Sequence, residues 1–397
     1  MKTLYIHVGT PKTGSSALQK FLPKNQEALF QRGFIYRKMP YDDYARETFV
    51  LDEEGRAAVE KTPGKPAMSR NGFFLHGKVY KGYEEENNMR LQQGLELVLS
   101  WFSEGDNVIL TDEHLWTDFS LWDFPEKLRS FAAAHDITVK IIVFLRPQYD
   151  YMDSHYREDV KSHFCTFTFR EYMERKPVLD ELFAVDYVKR LDAMASLYGH
   201  DNILPVVYDP KAWSRDGKTI FSVFLGVLGI DSDEGFLLPG KPANESLTDN
   251  QTEIMRVTNR LLDPGTEAGN NASRFFQRAG LFASARRPDK GKKTYLDQEG
   301  KTAFQKQFEE GNKRVAEEYL GQEELFQKGA DSAIRWEPDA GSMQEELILY
   351  FGALTRQLYE EIHDLKRENA EIVRYSIGNR ICRLFSRILR RKKRKKG

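Results

Sequence analysis

The chain has 397 residues, of which 40% are hydrophobic and 30% charged, with a formal net charge of −1. That is enough apolar material for a sizeable core, in two domains or in one large α/β domain with appendages. No run approaches the roughly 18 apolar residues of a transmembrane helix, and the two cysteines, Cys165 and Cys382, lie too far apart in dissimilar contexts to suggest a disulfide framework.

The N-terminus leads directly into the hydrophobic run Leu4–Val8 with none of the features of a cleaved signal, so a cytoplasmic location is expected. That run reads as a buried strand and opens onto Gly9-Thr10-Pro11-Lys12-Thr13-Gly14-Ser15-Ser16, after which a helix is expected over Ser16–Leu29. A strand, a loop rich in Gly, Lys and hydroxyls, and a helix together present backbone N–H groups to an anion. The nucleoside-triphosphate loop GxxxxGK[ST] carries its lysine directly after the second glycine. Here Ser15 holds that place and Lys12 sits three residues earlier, which implies a different phosphate geometry.

Further strands are expected at Phe34–Tyr36, Val108–Thr111, Val139–Leu145 and Ile203–Tyr208, with helices over Met89–Phe102, Pro125–His135 and Val185–Tyr198 between them. Alternation of this kind predicts βαβ units and a parallel sheet with helices on both faces. Ligands then bind beyond the carboxyl ends of the strands. Residues 38–88 and 262–300 lack periodicity and read as insertions, and helix is expected again over Ala303–Tyr319. The eight histidines show neither HExxH nor paired Cys/His spacing, so no metal is expected.

From Leu347 the apolar residues Leu347, Phe351, Leu354, Leu358, Ile362, Leu365 and Ile372 recur every three or four positions, with Asn369 on the same line. This predicts a coiled-coil-like helix over 343–378, able to form a homodimer or to fold back on the domain. The tail 379–397 has ten Lys or Arg and no acid, leaving 49 basic against 60 acidic residues elsewhere, and is interleaved with Leu384, Phe385, Ile388 and Leu389. An amphipathic basic segment fits an anionic membrane surface, here the inner face, better than nucleic acid.

Two motifs carry a family resemblance. Pro11-Lys12-Thr13-Gly14-Ser15-Ser16 closely resembles the 5′-phosphosulfate loop of sulfotransferases that use 3′-phosphoadenosine-5′-phosphosulfate (PAPS). Arg146, at the end of its strand, and Ser154, eight residues on, resemble that family's 3′-phosphate motif, although Pro147 replaces a second arginine that often follows the first. Phe167–Tyr172, Val185-Asp186-Tyr187, Tyr198-Gly199 and Ala243–Leu247 are similar to segments of the bacterial carbohydrate (glycan) sulfotransferases.

The resemblance spans about residues 1–330, thinly in 38–100 and 262–300, and implies a three-layer, P-loop-like sulfotransferase domain over 1–340. It implies PAPS as co-substrate, no metal, and a glycan or glycolipid acceptor. Lys12 would meet the bridging oxygen or sulfuryl group, Thr13, Gly14, Ser15 and Ser16 with the loop amides the 5′-phosphate, and Asn244 and Ser246 the nucleotide. For the acceptor's base, Thr111-Asp112-Glu113 is similar to a Ser-Ser-Glu element of the glycan-type enzymes, and His114-Leu115 to a Thr-His-Leu element of the small-molecule type. Glu113 is favoured over His114, and His76 in the insertion is a third candidate. Two rivals remain at this point: a P-loop kinase using ATP and magnesium with Asp112 as the metal-binding acid, and a non-catalytic nucleotide-binding scaffold at a membrane.

Overall fold

The computed structural model describes residues 1–39, 70–76, 84–119, 123–174, 184–239, 247–262, 267–286, 293–327 and 335–393. It is a mixed α/β structure around five parallel strands: β1 (Lys2–His7), β2 (Phe34–Ile35), β3 (Asn107–Thr111), β4 (Ile137–Leu145) and β5 (Ile203–Val207). Their order in the sheet is β2-β3-β1-β4-β5. The chain fills one side of β1 first and then crosses to the other, so the carboxyl end of β1 lies at a topological switch point between β3 and β4.

Side-chain alternation explains why both faces are covered. Leu4, Ile6, Val108, Leu110, Ile141 and Val143 enter one core cluster, together with the helices Glu84–Trp101, Phe124–Ala134 and Tyr187–Tyr198. Their neighbours Tyr5, Ile109, Ile142 and Phe144 enter the other, with the helices Ser15–Phe21 and Ile220–Val227. Strands buried on both faces read as near-continuous apolar runs, as Leu4–Val8 and Val139–Leu145 do apart from His7 and Lys140. The helix expected over Ser16–Leu29 is instead two helices, Ser15–Phe21 and Gln26–Phe30, separated by a turn at Leu22–Lys24. Pro23 has no N–H to continue the ladder, and beyond it Asn25 N turns to Leu22 O while Asn25 Nδ2 donates to the Phe21 carbonyl at 2.8 Å.

Residues 70–76, inside the expected insertion, are tied to β3. Asn71 Nδ2 donates to the carbonyls of Arg37 and Ile109, both at 2.9 Å, and Asn71 Oδ1 accepts from Thr111 N, also at 2.9 Å.

By contacts the chain forms two compact units that do not follow a boundary at residue 340. One comprises 1–155, 169–243 and 294–335; the other comprises 156–168, 244–293 and 336–397. The second is helical, and its long helix Ala340–Lys393 is anchored by the buried Glu346. That carboxylate accepts from Thr248 Oγ1 at 2.5 Å and Asn250 Nδ2 at 3.0 Å. Among the described residues no helix is long and apolar enough to cross a membrane.

Gly94 lies where the helix Glu84–Trp101 meets residues 70–76, and a Cβ there would stand 2.1 Å from Cδ2 of the fully buried Phe74. Replacing glycine by alanine inside a helix ordinarily stabilises by about 1 kcal/mol. Here the overlap, at about 1–3 kcal/mol, outweighs that gain. Urea denaturation of Gly94→Ala should show a lower midpoint than the parent protein, and an unchanged or higher midpoint would mean that residues 70–76 do not pack there.

Candidate active site

The first unit gathers polar groups at the carboxyl edge of its sheet. Beyond β1 the chain keeps pairing with β4: Phe144 N donates to Gly9 O at 2.6 Å and Thr10 N to Phe144 O at 3.0 Å. Thr10 Oγ1 also donates to Phe144 O at 3.0 Å, and Thr13 Oγ1 donates to Thr10 O at 2.5 Å. The loop then turns through two left-handed residues, Lys12 (φ 67) and Gly14 (φ 85). Glycine suits position 14 through its positive φ, and a Cβ there would also lie 2.4 Å from Ile220 Cδ1, so that the end of the isoleucine side chain would have to shift.

Ala17 N and Leu18 N donate back to Gly14 O, at 2.9 and 3.3 Å. The N–H groups of Gly14, Ser15 and Ser16 are left without a backbone acceptor among the described residues. Ser15 Oγ is buried with no hydrogen-bond partner among the described residues. Pro11 and Thr13 are buried, Lys12 is half-buried and Ser16 is exposed.

Arg146 reaches the loop from the end of β4, its Nη1 donating to Lys12 O at 2.9 Å. Its own carbonyl accepts from Tyr187 Oη at 2.7 Å, and its guanidinium lies 5.9 Å from the centre of the Tyr208 ring. Tyr208 directly follows β5 and also stands beside Gly14, its Cε2 at 3.5 Å from the position a Cβ would take. Burial raises the Tyr208 phenol above its usual pKa while Arg146 acts to lower it, so Tyr208 is neutral at physiological pH. Ser154 is half-buried in the helix Gln148–Lys161 that follows Arg146. Asn244 and Ser246 lie outside the described residues.

The third group follows β3. Asp112 is fully buried, with Arg70 Nη1 and His114 Nδ1 each 3.3 Å from Oδ1. His114 N donates to the same oxygen at 3.0 Å, while Oδ2 has no hydrogen-bond partner among the described residues. Burial opposes ionisation of Asp112. The hydrogen bond from His114 and the charges of Arg70, His114 and His76 outweigh it and hold the carboxyl well below its usual range. His114 is depressed by its own burial and by Arg70, whose Nη1 lies 2.5 Å from His114 Nδ1, but the hydrogen bond to Asp112 and the charges of Asp112 and Glu113 outweigh both and raise its pKa above 6.5.

Gln19 Nε2 donates to Glu113 Oε2, and His76 pairs with Asp118. The His76 and His114 rings are 5.3 Å apart between centres. Under Thr111, His7 is buried with Nδ1 2.9 Å from Thr111 Oγ1, and burial pushes its pKa down to about 4.

The expected loop, Arg146 and the Asp112-Glu113-His114 segment therefore meet at the ends of β1, β4 and β3. Two participants carried no sequence signal, and a third carried a weak one. Arg70 lies in the aperiodic insertion, and Tyr208 looks like an ordinary strand end. Gln19 could have been inferred from its place one turn beyond Ser15.

The loop fits an anionic diphosphate-like group. It offers unsatisfied amides, the unpartnered Ser15 Oγ and the half-buried Lys12, beside an arginine with further donors to give.

Comparison with known proteins adds little to this geometry. No protein-family model matches the sequence. An uncharacterized protein of Archaeoglobus fulgidus is 28% identical over 190 residues, which are 47% of this chain and 47% of that protein, so the match spans about half of each. The crystal structure of a sulfotransferase from Alicyclobacillus acidocaldarius superposes with a TM-score of 0.33 at 15% identity, over 65% of this chain and 94% of that one.

A histidine raised by its partner contributes stability that is complete below its unfolded pKa and is lost as pH rises through the folded one. By NMR, His114 should therefore titrate above 6.5, and Asp112→Asn should move that midpoint down. A midpoint at or below 6.5 in the parent protein would show that Asp112 does not hold the imidazolium.

Proposed function

We propose that the protein is a sulfotransferase that moves a sulfuryl group from PAPS to an acceptor hydroxyl, of a glycan or glycolipid. The observation that carries this reading is the meeting, at one sheet edge, of the Pro11–Ser16 loop, Arg146 and the Asp112-Glu113-His114 segment. PAPS would supply an activated sulfuryl group on a phosphate that leaves as adenosine 3′,5′-bisphosphate.

In this reading Lys12 and the amides of Thr13 to Ser16 balance the charge that develops on the departing phosphate oxygen. Arg146 and Ser154 take the 3′-phosphate. As the acceptor oxygen bonds to sulfur, the sulfur–phosphate oxygen bond breaks in line on the opposite side, by analogy with phosphoryl transfer. The acceptor's proton passes to a protein base.

Glu113 is the better base. Asp112 shifts His114 towards its charged form, and Arg70 Nη1 already engages His114 Nδ1 at 2.5 Å, so the imidazole is the poorer proton acceptor of the two. An ATP–magnesium reading would place the metal at Asp112, where it would meet the like charges of Arg70 and His114.

Calorimetry tests the donor assignment. Adenosine 3′,5′-bisphosphate should bind without magnesium, and ATP much more weakly; equal affinities or an absolute magnesium requirement would overturn the proposal. Arg146→Ala should weaken binding by about 3 kcal/mol, the upper end for a charged hydrogen bond, because the loop also loses its tie to Lys12 O.

Chemistry is tested separately from binding. With labelled PAPS and a panel of glycans, Glu113→Gln should leave donor affinity nearly intact and lower turnover by ~10²-fold or more. A fully active Glu113→Gln beside an inactive His114→Ala would transfer the base role to His114.

A further inference from the structure

The long helix Ala340–Lys393 has one side committed to its own unit, where Glu346, Tyr350 and Ala353 are buried. Leu347 and Leu354, which the sequence pattern put on the coiled-coil seam, are half-buried as well. A different stripe is free. Ile348, Phe351, Leu358, Ile362, Leu365 and Ile372 are each 50–65% exposed.

With the exposed Thr355 and Asn369 these residues alternate strictly by three and four positions. They occupy heptad a (348, 355, 362, 369) and d (351, 358, 365, 372) over about 36 Å of helix. Single exposed apolar residues are ordinary, but a continuous stripe of this length marks an interaction surface. The period also restricts the partner. A straight helix drifts ~20° per heptad from a strict seven-residue repeat, so such a stripe stays in contact only with another supercoiling helix.

The residues along the seam point to a second copy of this chain. β-branched Ile348 and Ile362 at a, with Leu358 and Leu365 at d, favour two parallel strands, and a single Asn369 at a fixes register against its own copy. Glu361 falls at g and Lys366 at the following e. In a parallel pair Glu361 of one copy faces Lys366 of the other, twice by symmetry; an antiparallel pair would set Glu against Glu and Lys against Lys. The helix's own ion pairs, Arg356–Glu360 at 2.8 Å and Arg367–Asp364 at 3.3 Å, use other positions and leave Glu361 and Lys366 unpaired among the described residues.

We propose that this face forms a parallel, in-register, two-stranded coiled coil between two copies of the chain. The inference rests on the helix alone and is independent of the donor site.

Sedimentation equilibrium of the full-length protein tests it, in enough salt to screen the basic tail. The parent chain should be dimeric at micromolar concentration. Ile362→Glu should raise the dissociation constant about 100-fold or more, because it forces two like charges into an apolar seam. Glu361→Lys should weaken the dimer, and adding Lys366→Glu should restore it. In a Cys382→Ser background, Leu365→Cys should oxidise to a covalent dimer. A monomeric parent chain, or a dimer that survives Ile362→Glu, overturns the proposal. A dimer in which Leu365→Cys does not cross-link overturns the parallel register.

Discussion

The hold of β4 on the chain leaving β1 is the constraint on which the site depends. A left-handed, non-glycine residue costs about 1–2 kcal/mol, and Lys12 is one. Against that stand the Thr10 N–Phe144 O, Phe144 N–Gly9 O, Thr13 Oγ1–Thr10 O and Arg146 Nη1–Lys12 O hydrogen bonds, each contributing about 0.5–1.5 kcal/mol or more where charged. The bonds win. The loop is therefore shaped by the fold and does not await a ligand, and its amides are already held apart from intrachain acceptors.

The end of β3 makes a second, electrostatic commitment. An unpaired buried carboxylate is costly enough that it would normally protonate. Asp112 stays ionised because Arg70, His114 and His76 surround it. Two nearby histidines behave in opposite ways, because burial outweighs the Asp112 charge at His7 whereas Asp112 outweighs burial at His114. His7, buried and pushed down to about 4, contributes fully above 6.5 and loses its contribution as pH falls towards 4. His114, raised, contributes fully below 6.5 and loses its contribution as pH rises. At the carboxyl edge of β1 and β3 the two histidines therefore pull in opposite directions with pH, with Asp112 ionised beside both.

The sheet was legible because both faces are buried: Leu4–Val8 and Val139–Leu145 read as nearly continuous apolar runs, broken only by His7 and Lys140, and their ends show where the polar loops belong. The loop and Arg146 were legible because each directly follows a strand. What could not be read depended on contacts distant in sequence. Arg70 and His76 reach β3 through Asn71, whose three hydrogen bonds to Arg37, Ile109 and Thr111 leave no periodic trace. The break at Pro23 leaves no trace in the apolar spacing, which continues across it. Spacing by threes and fours likewise fits two adjacent stripes of the long helix, and only the burial of Glu346, Tyr350 and Ala353 separates the side that carries the half-buried Leu347 and Leu354 from the exposed one.

Gly14 joins these levels. Its positive φ alone would make it an ordinary turn glycine, but the approach of Ile220 shows that an apolar helix presses on the back of the loop. Ile220 packs against the cluster formed by Leu18, Phe21, Phe224 and Leu225, and Tyr208 closes the side towards Arg146. An anion on the loop would therefore meet amides and an arginine in front and hydrocarbon behind. Charges interact more strongly where the surroundings are less polarisable than water. The same amides in an exposed turn would be screened by solvent, so the apolar wall raises the worth of each donor without touching the ligand.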